Sequence, residues 1–155
     1  MRLSGKIAVV VEAGQSPGEG IGNGRATVLR FAREGARILA VDRDLASAEE
    51  TAALAAKEGG ECVAFAADVT REATLAAAMA EAVRRWGRID ILHNNVGVSV
   101  AGGDKPLLEL TEEAFDRVSA INLRGTIMAG LQACDPYHAG PTCRRDRQHF
   151  LGRGL

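Results

Sequence analysis

The feature that most constrains the fold is a glycine-rich loop between a short apolar run and a helical pattern. Residues 6–11 are, after Lys6, β-branched and small apolar residues, typical of a strand covered on both faces. Apolar residues at helical spacing follow over 21–34, and Gly35 stands where a C-terminal cap belongs. The loop between them holds Gly14, Gly18, Gly20, Gly22 and Gly24. This order predicts the first strand–helix unit of a parallel sheet.

The rest of the chain repeats the alternation of strand and helix. Further strands are predicted over 37–41, 62–67 and 89–93, and further helices over 45–57, 72–86 and 111–133. Strands joined by helices of this length need crossover connections, which make the strands parallel and place helices on both faces. The predicted fold class is therefore α/β, with a doubly wound parallel sheet.

The glycine loop has the chemistry of a phosphate-binding site, because glycine allows close backbone approach and a helix N-terminus offers unpaired N–H groups. Asp42 ends the second predicted strand, 20 residues after Gly22, where a carboxylate accepts hydrogen bonds from adenosine ribose hydroxyls. That carboxylate would repel a 2′-phosphate, so NAD is predicted in preference to NADP. Arg43 beside it weakens this preference. The alternative is that the loop is a surface turn and Asp42 a helix cap.

Composition describes an ordinary globular protein, with 46% apolar and 25% charged residues. The formal net charge of −1 favours neither nucleic acid nor an anionic membrane as a partner. No apolar stretch approaches the roughly 18 residues that span a bilayer, and no signal-peptide pattern is present. The three cysteines form no secreted disulfide framework. We therefore expect a cytoplasmic protein with reduced thiols.

Four ordered motifs resemble the short-chain dehydrogenase/reductase family. They are the run 3–10, the step Gly20-Ile21-Gly22, Asp68-Val69, and Asn94-Asn95-Val96-Gly97. The resemblance covers residues 1 to about 133. It implies a Rossmann-like domain truncated after about four strands, from a family of NAD(P)-dependent oxidoreductases that act on small alcohols or carbonyl compounds. It also implies that Asp68 and Val69 line the adenine pocket, and that the segment with Asn95 and Gly97 steadies the sheet beside the cofactor.

These arguments give one set of candidate site residues. The predicted cofactor-binding residues are Gly14, Gly18, Gly20, Ile21, Gly22, Asp42, Asp68, Val69, Asn95 and Gly97. Asn122 matches the helix asparagine of the family's catalytic tetrad, which implies a role in holding a proton-relay water. Without the resemblance, an asparagine satisfied inside a helix would be the preferred interpretation.

The other catalytic groups of the family have no match in this sequence. The family uses a serine and a Tyr-x-x-x-Lys motif, whereas the only tyrosine here is Tyr137 and the fourth residue after it is Pro141. We therefore expect this chain to be inactive alone. A non-catalytic nucleotide-binding or subunit-interaction module is the alternative.

The start of the glycine loop departs from the family pattern. The family has Thr-Gly where this chain has Val11 and Glu12, and the loop is about four residues longer than usual. A second register, running from Gly14 through Gly18 to Gly20, also satisfies the family's glycine spacing. In either register, a Glu12 carboxylate about 5 Å from a phosphate would cost on the order of 1 to 3 kcal/mol. Weak cofactor binding is the expectation.

Residues 134–155 are predicted to be an irregular tail beyond the nucleotide-binding region of residues 1–133. With free codon choice, reading 134–154 one nucleotide later can encode A-I-P-I-M-R-A-R-R-A-G-A-I-V-N-I-S-S-A-A-A, which resembles the family's next segment. We hypothesise that a frameshift near Cys134 replaced the catalytic half. Zinc binding is the alternative, but the spacing matches no familiar closed site, and no metal is predicted. The candidate zinc ligands are Cys134, His138, Cys143 and His149.

The family resemblance also leads to an expectation about the oligomeric state. A sheet ending at the fourth strand leaves an open parallel edge, which favours pairing with another chain. The family packs the helix matching 115–131 against a partner subunit. A homo-oligomer is therefore expected.

Overall fold

The computed structural model describes residues 1–15, 18 and 20–134, which form a parallel sheet with helices on both faces. The strands are β1 (Ile7–Val11), β2 (Arg37–Asp42), β3 (Glu61–Ala66) and β4 (Ile91–Asn94). The helices are α1 (Asn23–Arg33), α2 (Leu45–Lys57), α3 (Glu72–Trp86), α4 (Glu112–Ser119) and α5 (Thr126–Ala133). Short 3-10 turns at Val100–Gly102 and Leu107–Glu109 connect β4 to α4. The predicted doubly wound α/β class is confirmed.

The direction in which strands are added to the sheet changes beside β1. The order is β3-β2-β1-β4 and every neighbouring pair is parallel. Val10 of β1 pairs with Ala40 of β2 on one side and with His93 of β4 on the other. The chain therefore adds β2 and β3 in one direction and then crosses β1 to add β4. Open α/β sheets bind ligands at the carboxyl ends of the strands where the direction changes, which here is between β1 and β4.

The core explains why β1 is an uninterrupted apolar run. All five of its residues are buried. Val9 belongs to a cluster with Met79 of α3, whereas Val10 belongs to a cluster with Val28 of α1. Because successive side chains of a strand point to opposite faces, a strand covered on both faces must be apolar throughout.

The predicted strand bounds and the end of α1 differ from the structure by one residue, and two element starts differ by two residues. Helix α1 begins at Asn23 rather than at residue 21, because its N-cap Gly22 is extended, with φ −67° and ψ 150°. Ile21 is consequently 55% exposed instead of joining the helix face. Strand β4 begins two residues later than predicted, since its pairing with β1 starts at Ile91 opposite Ala8. The helices predicted over 45–57 and 72–86 are observed as α2 and α3.

The helix predicted over 111–133 is continuous but not uniform. Thr111 caps α4 by accepting a hydrogen bond from the Ala114 N–H at 3.3 Å. A π-helical segment, Ala120–Gly125, joins α4 to α5. π-Helical segments are rare, and those that do occur are often found at functional sites. This one contains Asn122.

The structure does not describe residues 16, 17, 19 and 135–155. The predicted tail beyond Cys134 lies outside the described residues, and so do three of the candidate zinc ligands, His138, Cys143 and His149. Within the described part of the chain, no helix combines the length and apolarity needed to cross a membrane.

Candidate functional site

An open cleft of about 120 Å³ lies at the carboxyl ends of the strands. It is bordered by the ends of β1 and β2 and by the segments that follow β3 and β4. Its lining residues are Val11, Glu12, Asp42, Arg43, Ala67, Asp68, Val69, Thr70, Val96, Val98 and Ile121. Three of the predicted cofactor-binding residues, Asp42, Asp68 and Val69, are therefore brought together in one cleft.

Asp42 connects the cleft to the glycine loop. Its Oδ2 accepts a hydrogen bond from the Gly14 N–H at 2.9 Å, and its Oδ1 accepts one from the Asp44 N–H at 3.0 Å. A Cβ on Gly14 would lie 2.8 Å from Asp42 Oδ2, so this approach requires glycine. The helix cap of α2 is Asp44, whose side chain accepts from the Ser47 N–H at 3.3 Å. Asp42 thus does not cap α2.

A side chain of the loop binds the N–H of the N-cap residue of α1. Gln15 Oε1 accepts a hydrogen bond from the N–H of the N-cap Gly22 at 2.6 Å. Gln15 is itself held by Ser47 of α2, whose Oγ accepts from the Gln15 N–H at 2.7 Å. Gly18 and Gly20 have φ of +148° and +92°, and a Cβ on either would have no neighbour within 4 Å.

Helix α1 packs tightly at Gly24 against the residue that follows β1. A Cβ on Gly24 would overlap the carbonyl oxygen of Glu12 and lie 3.0 Å from Asn95 Nδ2. Asn95 Nδ2 in turn donates to the same Glu12 carbonyl at 3.2 Å. In a dinucleotide-binding loop, one glycine serves this close packing of helix against strand. Here Gly24 occupies that place, directly after the helix start.

Glu12 has an unusual backbone conformation. Its φ of +60° makes it the one non-glycine residue with positive φ in the described part of the chain. Such a conformation is unfavourable for a residue with a Cβ and easy for glycine. The Glu12 side chain reaches across the crevice, where Oε2 accepts a hydrogen bond from the Gly97 N–H at 3.1 Å.

Asp68 and Val69 are fixed by contacts from two sides. Asp68 Oδ1 accepts hydrogen bonds from the Thr70 N–H at 2.9 Å and the Thr70 hydroxyl at 2.7 Å. These bonds, with a smaller contribution from the charges of Arg43 and Arg71, hold the pKa of Asp68 below its ordinary value. A Cβ on Gly125 of the π-helical segment would lie 3.0 Å from Val69 Cβ. Asp68 is therefore an anion on the cleft wall.

Asn122 lies beside the cleft, next to the lining residue Ile121. Its carboxamide Oδ1 accepts a hydrogen bond from the Val98 N–H at 2.8 Å, and its Nδ2 donates to the Val98 carbonyl at 2.8 Å. Asn122 thus ties the π-helical segment to the loop after β4, which borders the cleft.

Several site residues were missed by the sequence interpretation. Gly24 was visible only as one more loop glycine, and nothing in the local pattern indicates that Gln15 and Ser47 organise the helix start. Thr70 carried a weak signal, since it stands two residues after Asp68, the spacing at which an aspartate binds the backbone. Among the described residues, no group of three or more His, Cys, Asp or Glu side chains could hold a metal ion.

The residues present fit one half of a nicotinamide dinucleotide better than the other. Asp42 at the end of β2 suits an adenosine ribose, and Asp68 and Val69, for which the family resemblance implies an adenine pocket, line the same cleft. The diphosphate of the dinucleotide fits less well. Glu12, an acidic residue, lines the cleft, and the Gly22 N–H already donates to Gln15.

The chain is similar in sequence to a known protein family and to several dehydrogenases. Residues 18–142 match the family model described as Enoyl-(Acyl carrier protein) reductase. Sorbitol dehydrogenase of Cereibacter sphaeroides is 40% identical over 127 residues, which cover 82% of this chain and 45% of that protein. D-threitol dehydrogenase of Mycolicibacterium smegmatis is 39% identical over 127 residues, covering 82% and 45% respectively. The chain thus spans slightly less than half the length of these relatives.

The solved structures show the same partial coverage. The crystal structure of a short-chain dehydrogenase/reductase from Burkholderia xenovorans superposes with a TM-score of 0.79 at 40% identity, over 85% of this chain and 51% of that one. The hydroxysteroid dehydrogenase of Escherichia coli superposes with a TM-score of 0.75 at 29% identity, over 85% and 52%.

Proposed function

This chain belongs to the short-chain dehydrogenase/reductase family, and from that premise we propose that the cleft is the adenosine half of a nicotinamide dinucleotide site. Members of the family bind NAD or NADP and small-molecule substrates. When bound, such a dinucleotide supplies or accepts the hydride. This chain's own residues bind and orient its adenosine end.

The observation that carries the proposal is the contact between Asp42 and Gly14. It joins the acidic residue at the end of β2 to the glycine loop at 2.9 Å, so the two parts of the predicted nucleotide site are next to each other. In this arrangement Asp42 binds ribose hydroxyls, while Asp68 and Val69 form the adenine wall. Asn95 and Gly97 follow β4 and donate hydrogen bonds to Glu12, a residue that lines the cleft.

We propose NAD in preference to NADP. The Asp42 carboxylate favours a ribose with free hydroxyls and repels a 2′-phosphate. Arg43 lines the same cleft, so its charge reduces the discrimination without reversing it. Discrimination is therefore expected to be modest.

Chemistry is a separate matter from nucleotide binding. The sequence contains no Tyr-x-x-x-Lys motif. Both polar atoms of the Asn122 carboxamide are hydrogen-bonded to the backbone of Val98. We propose that this chain binds nucleotide without turnover and that Asn122 is a positioning residue. A small alcohol or carbonyl compound is the substrate class that the family resemblance implies.

The second candidate function is a subunit-interaction module. Large apolar side chains are exposed on α4, the π-helical segment and α5: Phe115, Leu123, Ile127 and Leu131. Their exposure favours self-association, as the family resemblance implies. Sedimentation velocity tests this, with concentration-dependent oligomers expected and a monodisperse monomer counting against it.

The frameshift hypothesis concerns residues 134–155, separately from the nucleotide-binding region 1–133. We propose that the shifted frame encodes the family's next strand and its catalytic serine. The gene sequence decides this: a downstream frame with Tyr-x-x-x-Lys supports it, and a frame without that motif removes it.

The nucleotide-binding proposal is tested by fluorescence titration with NADH and NADPH. The wild-type chain should bind NADH saturably and more tightly than NADPH. Asp42→Ala should weaken NADH binding about ten-fold and abolish the preference over NADPH, because about 1.4 kcal/mol of ribose hydrogen bonding is lost. Asp44→Ala is the matched control, since it removes a neighbouring carboxylate and a helix cap but no cleft residue. Equal NADH affinity in the wild type and Asp42→Ala would contradict the assignment.

A further inference from the structure

The two sides of the crevice are linked by a carboxylate of the chain itself. Glu12 follows β1, Gly97 follows β4, and the bond from the Gly97 N–H to Glu12 Oε2 measures 3.1 Å across 85 positions of sequence. The bond therefore spans the point where the direction of strand addition changes. An N–H group that faces the crevice is occupied by an internal anion.

The surroundings hold Glu12 in this position although its backbone is strained. Its φ is +60°, a conformation that costs a non-glycine residue free energy unless neighbouring contacts enforce it. Those contacts are present. The Glu12 carbonyl receives the Asn95 amide at 3.2 Å, and Gly24 packs so closely on that carbonyl that no side chain fits between them.

The charge around the cleft opposes a diphosphate. Among the described residues that line the cleft, Glu12, Asp42 and Asp68 carry carboxylates and Arg43 carries a guanidinium. Asp42 and Asp68 lie on the β2 and β3 side of the cleft, whereas Glu12 directly follows β1 and directly precedes the glycine loop in the chain. A neutral adenosine is affected little by the Glu12 charge, but an anion extending toward the loop is repelled by it.

We infer that Glu12 is a specificity-determining residue whose carboxylate, bound to the Gly97 N–H, makes the crevice discriminate against the diphosphate part of its nucleotide. The inference rests on the proposed nucleotide-binding function. The site consequently holds the adenosine end of a ligand well and its pyrophosphate poorly. Removing the Glu12 charge shifts the selectivity toward diphosphate ligands.

The test compares adenosine with ADP-ribose by isothermal titration calorimetry. Glu12→Gln removes the charge and keeps the size of the side chain and an oxygen acceptor. It should raise ADP-ribose affinity about ten-fold and change adenosine affinity less than about two-fold. Glu109→Gln is the matched control, because Glu109 is exposed and does not line the cleft. It should change neither affinity.

A second measurement reads the Glu12–Gly97 bond without any ligand. Hydrogen bonds to a charged acceptor are stronger than those to a neutral one. The Gly97 amide proton resonance should therefore move upfield in Glu12→Gln and stay in place in Glu109→Gln. An unmoved Gly97 resonance in Glu12→Gln would overturn the bond on which the inference depends.

The outcomes separate the two proposals. If both ligands bind and Glu12→Gln leaves their ratio unchanged, the role of Glu12 is overturned while the nucleotide site stands. If neither ligand binds the wild type or Glu12→Gln, the proposed nucleotide-binding function fails and the role of Glu12 fails with it.

Discussion

The Asn122 carboxamide binds both backbone polar groups of Val98, accepting its N–H and donating to its carbonyl, each at 2.8 Å. A planar side-chain amide thus pairs with one residue of the loop after β4, as a neighbouring strand would. The π-helical segment that carries Asn122 also contacts the β3–α3 loop, where Arg124 donates to the Thr70 carbonyl at 3.2 Å. One segment therefore fixes two walls of the cleft.

Replacing Asn122 tests this bracing role. Asn122→Ala leaves both groups of the half-buried Val98 without their partner and should lower the free energy of unfolding by about 2 kcal/mol. In Asn122→Asp, an ionised carboxylate can still accept from the Val98 N–H but cannot donate to the Val98 carbonyl. The loss of unfolding free energy should therefore be comparable to that of Asn122→Ala. It should become smaller at low pH, where the protonated carboxyl can donate again. Urea denaturation measures both. An Asn122→Ala variant within about 0.5 kcal/mol of the wild type would refute the bracing role.

A pair of glycine substitutions tests the packing of α1 against β1. In Gly24→Ala the new methyl group overlaps the Glu12 carbonyl oxygen, and the variant should lose on the order of 3 kcal/mol or fail to fold. Gly97→Ala is the control, because a Cβ there has open space and no positive φ, so the change should stay within about 0.5 kcal/mol. Thermal and urea unfolding compare the two. Equal stabilities of the two variants would contradict the close approach at Gly24.

His93 makes stability depend on pH. It lies on β4 with its ring 6.2 Å from the Phe31 ring, and burial lowers its pKa below the ordinary 6.5. The unfolded chain therefore takes up a proton at a higher pH than the folded chain. The contribution of neutral His93 to the free energy of unfolding is fully present above pH 6.5. It is lost as the pH falls through that value toward the lower pKa of His93 in the folded chain. His93→Gln should flatten this slope between about pH 7 and 5, since shifted carboxylates titrate lower. If the dependence of stability on pH is the same in His93→Gln as in the wild type, other groups cause that dependence.

Much of the fold followed from local patterns. The uninterrupted apolar run of β1 predicts a strand covered on both faces, and the bounds of α2 and α3 were predicted to the residue. Asp42 was identified by its distance from the glycine loop. These features depend on periodicity and on short sequence separations, which a sequence displays directly.

The details of the site depend on tertiary contacts that no local pattern contains. The two glycine registers open in the sequence could not be ranked, because the helix start is set by Gln15 binding the Gly22 N–H and by Gly24 packing on Glu12. The departure at Glu12 was visible in the sequence, but its bond to Gly97 joins residues 85 positions apart. The π-helical segment contacts Val69 through Gly125 and Val98 through Asn122, and helical periodicity alone predicts a uniform helix.

The central claim is that the cleft at the carboxyl ends of the strands is a nucleotide half-site, and amide chemical-shift mapping tests it most directly. Titration of the ¹⁵N-labelled chain with NADH should perturb amides around Asp42, Asp68, Val69 and Val96, which border the cleft. Exposed residues of α4 and α5 should be unaffected. Saturable shifts confined to the cleft are the predicted result. Shifts that are absent, or that map to α4 and α5 instead, would contradict the account.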